Sequence, residues 1–309
     1  MACNHPDLPD PFDYLKGDAV TSGPLRRHAV VMGTVVLTGA LALTGCGKTK
    51  EKSSNALDRI KKAGKISIAT DASYAPNEFK QNGQIVGFDV DLGAAIAKKL
   101  GVTPNVQDVT FDNILPAIKS GKYDISLSSF TDNKEREASV DFVTYYSAGT
   151  GLMVKVGNPL KLMPDDLSLC GQKVAVEKGT VQEDELKPAG ARTKKCKDGG
   201  KPAPQALSFD KQEQANLALS SGRANAVLAD SPVAAYAAKE SGGKFTISGN
   251  AYDTAPYGIM IPKNEPALRD GVLKAVKDMV ADGTYKQIID KWGLATGAIT
   301  DPKVNGATG

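Results

Sequence analysis

The chain has 309 residues, of which 41% are hydrophobic, and its 38 Lys/Arg and 35 Asp/Glu leave a formal net charge of +3. This is the make-up of a soluble globular chain of about two domains, so wholesale disorder and a multi-span membrane protein are excluded. Four cysteines are too few for a disulfide-stapled scaffold, two histidines leave little for a metal site or a Ser/His/Asp triad, and the small charge with 6% aromatic residues argues against a nucleic-acid partner.

The first feature along the chain is Ala29 to Leu43 (AVVMGTVVLTGALAL), 15 uncharged residues. That run is too short to span ~30 Å of hydrocarbon. Arg26, Arg27 and His28 precede it and Leu43-Thr44-Gly45-Cys46 ends it. Basic, apolar and small-residue segments in that order describe a secretory signal over residues 1–45; a short buried core helix is the competing reading. Leu-Thr-Gly-Cys resembles the lipobox of bacterial lipoproteins. That resemblance implies a lipidated Cys46 as the first mature residue, anchored to the outer face of the cytoplasmic membrane. Leu25 to Val30 also has a twin-arginine look, so the Sec and Tat routes both stay open. Asp7, Asp10, Asp13 and Asp18 are unusual ahead of an apolar run, which points to a long leader or a later true start. Without the leader the chain has 264 residues and a formal charge of +4. Residues 46–55, polar and apolar-free from Gly47 on, read as a linker between anchor and fold.

Cys3 falls in the leader. Cys170 and Cys196 remain in an exported, oxidising setting, where a disulfide is the default and two free thiols the alternative. Closing their 26-residue separation contributes about 3 kcal/mol.

The mature chain then alternates strand and helix. Ile66–Thr70 reads as a strand, 89–100 as a helix ending at Gly101, 104–109 as a strand, 112–120 as a helix and 124–129 as a strand. This βαβαβ order predicts a parallel sheet with right-handed crossovers. A second series follows: strands at Lys173–Glu177 and Ala206–Phe209, a helix over 210–221 with Asp210 and Glu213 in capping-box spacing, a strand at 225–230 and a helix at Ser231–Glu240 with Pro232 in its first turn. Phe245–Ile247 reads as an edge strand. Gly151–Val156 and Tyr257–Pro262 are β-rich passages between the series, and helices are predicted at Pro266–Ala281 and Thr284–Trp292. The last two helices would pack back on the first unit. The chain then crosses between two α/β lobes near 154 and again near 258, leaving a hinge and a cleft. Lobe 1 is expected at 56–154 with 258–294, and lobe 2 at 155–257; the tail 295–309 is Gly/Thr-rich and expected to fray.

Ligands of open α/β sheets bind beyond the carboxyl ends of the strands. Here those ends are Asp71 to Tyr74, Ser128 to Thr131, Glu177 to Thr180 and Asp230 to Pro232. They offer carboxylates, hydroxyls, aromatic rings and backbone N–H groups and no histidine. That set suits holding a small zwitterion better than acid–base catalysis. Thr131-Asp132-Asn133 is a helix-start signal, which places Arg136 in a first turn, facing the cleft with a fork that matches a carboxylate. The competing reading is an exposed arginine paired with Glu135 or Glu137. Asp89 and Asp91 read as helix-start residues.

Many collinear motifs carry a family resemblance from about Ile66 to Gly293. Tyr74-Ala75-Pro76, Val86 to Leu92 (VGFDVDL), Leu115-Pro116-Ala117-Ile118, Gly121 to Asp124, Lys134-Glu135-Arg136, Gly222 to Val227, Asp230-Ser231-Pro232 and Lys291-Trp292-Gly293 together resemble the polar amino-acid solute-binding proteins of ABC importers. The resemblance implies a two-lobed periplasmic-binding-protein-like α/β fold: two doubly wound sheets, joined by two crossing hinge strands, with the ligand between them. It implies that Arg136 clamps an α-carboxylate together with the backbone of Gly179, Thr180 and Val181. Asp230 takes the α-ammonium, and Ser128, Ser129 and Thr131 add backbone or hydroxyl contacts. Tyr74 and Phe111 sandwich the ligand, and Asp71 and Glu177 face its side chain. Family members vary at the position of Glu177. Two carboxylates there favour arginine, lysine, ornithine or histidine, with glutamine next, and repel an acidic ligand. No cofactor or metal is implied. The expected partners are an amino acid and permease subunits, for a monomer that is not an enzyme. A prephenate- or arogenate-dehydratase-like enzyme on the same fold and a non-transport sensor lipoprotein are the rivals; the joint presence of Arg136 and Asp230 argues against the first.

Overall fold

The structure is a computed structural model that describes residues 55–307. The signal segment, Cys46 and nearly all of the linker lie outside the described residues. Among those described, no helix is long and apolar enough to cross a membrane.

The described residues open with a helix the sequence pattern did not predict, α1 (Ala56–Ala63), where the Asn55 side chain accepts from Asp58 N–H at 3.0 Å and Gly64 ends the helix at φ +68°. Then come β1 (Lys65–Thr70), β2 (Ser73–Tyr74), β3 (Glu78–Gln81), β4 (Gln84–Val86), α2 (Phe88–Leu100), β5 (Thr103–Asp108), α3 (Phe111–Lys119), β6 (Ile125–Ser126) and the single turn α4 (Lys134–Glu137). β7 (Val140–Lys155) leads to β8 (Lys173–Glu177), α5 (Val181–Leu186), α6 (Ala191–Asp198), β9 (Gln205–Phe209), α7 (Gln212–Ser220), β10 (Ala226–Asp230) and α8 (Ser231–Glu240). β11 (Phe245–Pro262) returns to α9 (Pro266–Ala281) and α10 (Thr284–Trp292).

The two sheets expected from the sequence are joined into one, of order β5-β1-β6-β11-β7-β10-β8-β9. The reason is the length of the crossing strands, 16 residues in β7 and 18 in β11. Each belongs to both halves. Near one end β11 pairs with β6 at Met260 and Ser126, while Thr150–Val154 of β7 pair with β10. The expected limits at 154 and 258 therefore fall within continuous strands. Between the halves the β7–β11 register shifts at Ser248/Tyr252, Tyr252/Ala255 and Tyr257/Gly258. Bulges of this kind interrupt the ladder and increase its local bend and twist.

One core lies between a face of the first half and α1, α2, α9 and α10, with Ile68, Leu92, Ile96, Val272 and Ile289 buried in it. The last two helices thus return to the first unit, as expected. The opposite face takes Ile114 and Ile118 of α3. In the second half, α7 and α8 cover one face and Leu169, Leu186 and Val176 the other. Cys170 and Cys196 are disulfide-bonded, with Cα atoms 5.6 Å apart, which ties the segment before β8 to α6.

A hairpin sheet, β2-β3-β4, sits over the start of α2. Gly87 makes the turn possible: its φ is +140°, and a Cβ would lie 2.1 Å from the Asn77 carbonyl oxygen. The tail also departs from expectation. Val304 bridges Val143 of β7, and Thr144 N–H donates to the Lys303 carbonyl at 2.9 Å. Residues 303–305 cover the edge that β7 would otherwise leave open in this half, where an unpaired strand is a liability.

Candidate functional site

The strand ends of both halves converge. Asp71, Tyr74, Phe111, Ser128, Ser129, Arg136, Glu177, Thr180 and Asp230 are all buried; Thr131, Gly179 and Val181 are partly so. Tyr74 crosses from the first half into the apolar cluster of the second, beside Val233 and Ala234. Its hydroxyl oxygen accepts from Asp230 N–H at 3.1 Å. The halves are therefore closed on each other. At the rim, Lys178 Nζ lies 2.7 Å from Asp112 and Lys211 Nζ 3.9 Å from Asp108.

Arg136 is not the exposed arginine of the competing reading. Asn133 caps its turn, accepting from Arg136 N–H at 2.9 Å. Its guanidinium donates Nη1–H to the Thr131 carbonyl and Nη2–H across the cleft to the Gly179 carbonyl, both at 2.9 Å. It lies 5.1 Å from the Phe130 ring, which stacks on Phe111 at 4.0 Å. Burial pushes the guanidinium pKa down, and the charges of Asp184 and Asp230 oppose that. An arginine stays charged regardless, with three more N–H directions to offer.

The segment facing it is tightly built. Gly179 has φ +81° and donates its N–H to Glu183 at 2.9 Å. The Thr180 hydroxyl donates to the Glu177 carbonyl at 2.7 Å and accepts from Glu183 N–H at 3.2 Å. Asp230 accepts from Gln182 Nε2 at 2.8 Å, and that amide also reaches the Thr150 hydroxyl at 3.0 Å. Burial raises the Asp230 pKa against neighbouring hydroxyls and Arg136.

Asp71 and Glu177 each meet a helix start from afar. Phe111 N–H, at the head of α3, donates to Asp71 at 2.8 Å, and Gln212 N–H, at the head of α7, donates to Glu177 at 3.0 Å. The expected capping box at Asp210 and Glu213 is absent: α7 starts two residues later, at Gln212, and the Lys211 cap makes no side-chain bond. Glu177 fills that role, because a buried carboxylate gains more from a helix N-terminus than a solvated one. Both pKa values are nonetheless raised, first by burial, and Glu177 further by the charge of Asp71; Lys211 pulls each back.

Ser128 and Ser129 hold the floor. The Ser128 hydroxyl accepts from Asp71 N–H at 2.8 Å and donates to Glu78 at 3.0 Å. Ser129, at φ +52°, donates its N–H to Asp89 at 2.8 Å, and its hydroxyl accepts from Asn77 at 2.8 Å. These hydroxyls are committed to the interior, which leaves backbone for a ligand. Asp89 also accepts from the Tyr145 hydroxyl at 2.7 Å, so it is more than a helix-start residue. Burial raises Glu78 well above the usual range and Asp89 to about 6. Sequence reasoning missed Gln182, Glu78 and Asn77, and gave Phe130 no role beyond its place at a strand end. Gln182 had one signal: it follows the Gly179-Thr180-Val181 segment already expected to hold a carboxylate.

This fold and cleft define a two-lobed α/β binding protein. The chain belongs to the bacterial extracellular solute-binding proteins, family 3, whose profile matches residues 66–295. It is similar to the arginine-binding protein of Corynebacterium glutamicum, 33% identical over 250 residues, 80% of this chain and 80% of that one. The glutamine-binding protein of an ABC transporter in Bacillus subtilis is 28% identical over 274 residues, 84% and 95% of the two chains. Among solved structures, an ancestral arginine-binding protein bound to arginine aligns with TM-score 0.67 and 38% identity, covering 74% of this chain and 98% of that one.

Proposed function

We propose that this chain is the extracytoplasmic substrate-binding lipoprotein of an ABC importer, that it holds a basic amino acid between its lobes, and that Cys46 carries the lipid. The observation that carries the ligand class is charge. Asp71, Glu177 and Asp230 are buried in the cleft; Arg136 is the cation acting on Asp230, and Lys211, half-exposed at the rim, the one acting on Asp71 and Glu177. An amino acid's carboxylate offsets Arg136 and its ammonium offsets Asp230. A cationic side chain then offsets the two remaining carboxylates. Arginine fits best, since its planar fork can meet both; lysine, ornithine and histidine share the charge, and glutamine offers only neutral donors. The names of the relatives above, arginine- and glutamine-binding, agree with this order.

In this reading the backbone of Gly179, Thr180 and Val181 assists Arg136 at the carboxylate, Tyr74 and Phe111 enclose the ligand, and Ser128, Ser129 and Thr131 supply backbone contacts. The lobes are 56–154 with 258–294, and 155–257, rocking at the β7–β11 bulges. Ligand shifts the population to the closed state by its differential affinity for it, and the closed form docks on the permease as a monomer. A thermal-shift screen of the twenty amino acids, followed by calorimetry, tests the proposal: bound ligand stabilises by RT ln(1 + [L]/Kd). Tight glutamate binding with none for basic amino acids would overturn it.

A further inference from the structure

The match to the family ends at residue 295, yet the chain after it is ordered against the first lobe next to the arginine clamp. After a 3₁₀ turn at Ala295–Gly297, Ile299 N–H donates to the Tyr285 hydroxyl at 3.1 Å. Residues 303–305 then run antiparallel to β7. Asn305 sits at φ +51°, a conformation asparagine tolerates, with its N–H on the Phe142 carbonyl at 3.0 Å. Its side chain accepts from Phe142 N–H at 2.8 Å and donates to Asp141 at 3.2 Å. This turns the chain toward α4. Gly306 N–H donates to Asp132 at 2.7 Å and Ala307 N–H to Glu137 at 3.2 Å.

Those two carboxylates bracket Arg136. Asp132 follows Thr131, whose carbonyl fixes the guanidinium at 2.9 Å, and Glu137 ends the same turn. Asp132 is itself pinned on the other side, its N–H donating to the Pro256 carbonyl at 2.8 Å in the crossing strand β11. The turn that carries Arg136 is four residues long, too short to hold its own position. Two contacts from the tail, one from the hinge strand and a bond from Lys263 Nζ to the Glu137 carbonyl hold it.

We propose that residues 298–307 are a strap that positions Arg136, so that a segment beyond the stretch matched to the family sets how well the clamp engages the ligand carboxylate. The proposal rests on the reading of Arg136 as the carboxylate clamp. The strap contacts no ligand. It acts by fixing the turn between Asp132 and Glu137 against β7, and its loss lets the guanidinium leave the plane that a carboxylate needs.

The test compares L-arginine with L-argininamide, which lacks the carboxylate charge, in calorimetry on three proteins: the parent chain, a chain ended after Ala298, and Asp132→Ala, which keeps the tail and removes the acceptor of Gly306. A positioning role predicts that both variants lose about tenfold in affinity for L-arginine and little for L-argininamide, since part of a charge-assisted contact is lost. Asp132→Asn, which keeps an oxygen for Gly306, should retain the parent's preference. A strap that only stabilises the fold would lower Tm and leave the preference unchanged, and that result overturns the proposal. Should the shortened chain not fold, Asp132→Ala decides alone. A parent chain that binds neither compound would overturn the functional reading and the strap with it; a parent that binds L-arginine with both variants unchanged would overturn the strap alone.

Discussion

Gly179→Ala separates closure from folding. Gly179 has φ +81°, and a Cβ there would lie 3.1 Å from both Cα and Cβ of Asp112, on α3 of the opposite lobe. The substitution therefore has two costs. The left-handed backbone costs about 1 kcal/mol whether the lobes are open or closed, because it is local. For ~250 residues that lowers Tm by about 2–4 °C. The contact with Asp112 exists only on closure, and it meets main-chain-bound atoms, which cannot turn aside as a long side chain can. Relieving it moves the lobes apart by a few tenths of an ångström, where Arg136 reaches the Gly179 carbonyl at 2.9 Å and Lys178 reaches Asp112 at 2.7 Å. Weakening one charge-assisted contact costs about 1.5–3 kcal/mol of closed-state stability, or about 10- to 100-fold in Kd. Calorimetry with L-arginine reads the second cost and ligand-free thermal unfolding the first. A Kd within about twofold of the parent, alongside the lowered Tm, would refute the contact as a closure contact.

Three further outcomes follow from the site. Arg136→Lys keeps the charge and loses the planar fork, so L-arginine binding should weaken by about 10- to 100-fold in calorimetry. Glu177→Gln removes one of the carboxylates assigned to the ligand side chain; affinity for L-arginine should fall by about tenfold while that for L-glutamine changes by about twofold or less. For pH, burial raises the folded-state values of Asp71 and Glu177 above their ordinary ones. Their contribution to ligand-free stability is present below the ordinary carboxylate range and is lost as pH rises through the raised values. A bound guanidinium favours both ionised forms, so in that window L-arginine binding should release protons and tighten as pH rises. Calorimetry in two buffers of different ionisation enthalpy measures the proton count, and proton uptake would contradict the assignment.

How much of this was legible beforehand depended on range. The βα alternation, the return of α9 and α10 to the first unit and the Cys170–Cys196 pair rest on local periodicity and on arithmetic, and the structure agrees with them. The full extent of β7 was hidden because Tyr146 to Gly151 has no alternation of apolar and polar residues: both faces are buried there. The β2–β4 hairpin is short and polar, and only the Gly87 approach to Asn77 betrays it. The residues expected to face a ligand follow from the strand ends and from a resemblance, but their support does not. Asp71 and Glu177 as remote caps, Gln182 on Asp230, and the tail on Asp132 are contacts between residues far apart in sequence, and no local pattern encodes them.

The shared strands bear on how the molecule comes apart. β7 and β11 supply backbone partners to β6 on one side and to β10 on the other, so neither half has a complete sheet once the other melts. Two domains joined by a tether can unfold one after the other; two halves woven through the same pair of strands cannot. The bulges at which the lobes are proposed to rock thus sit in strands whose loss would unmake both lobes, so that in this reading motion and cooperativity share one element. Ligand-free heating should then give a single transition with equal calorimetric and van't Hoff enthalpies. Cutting the gene at the two lobe limits should yield three fragments that fold only together.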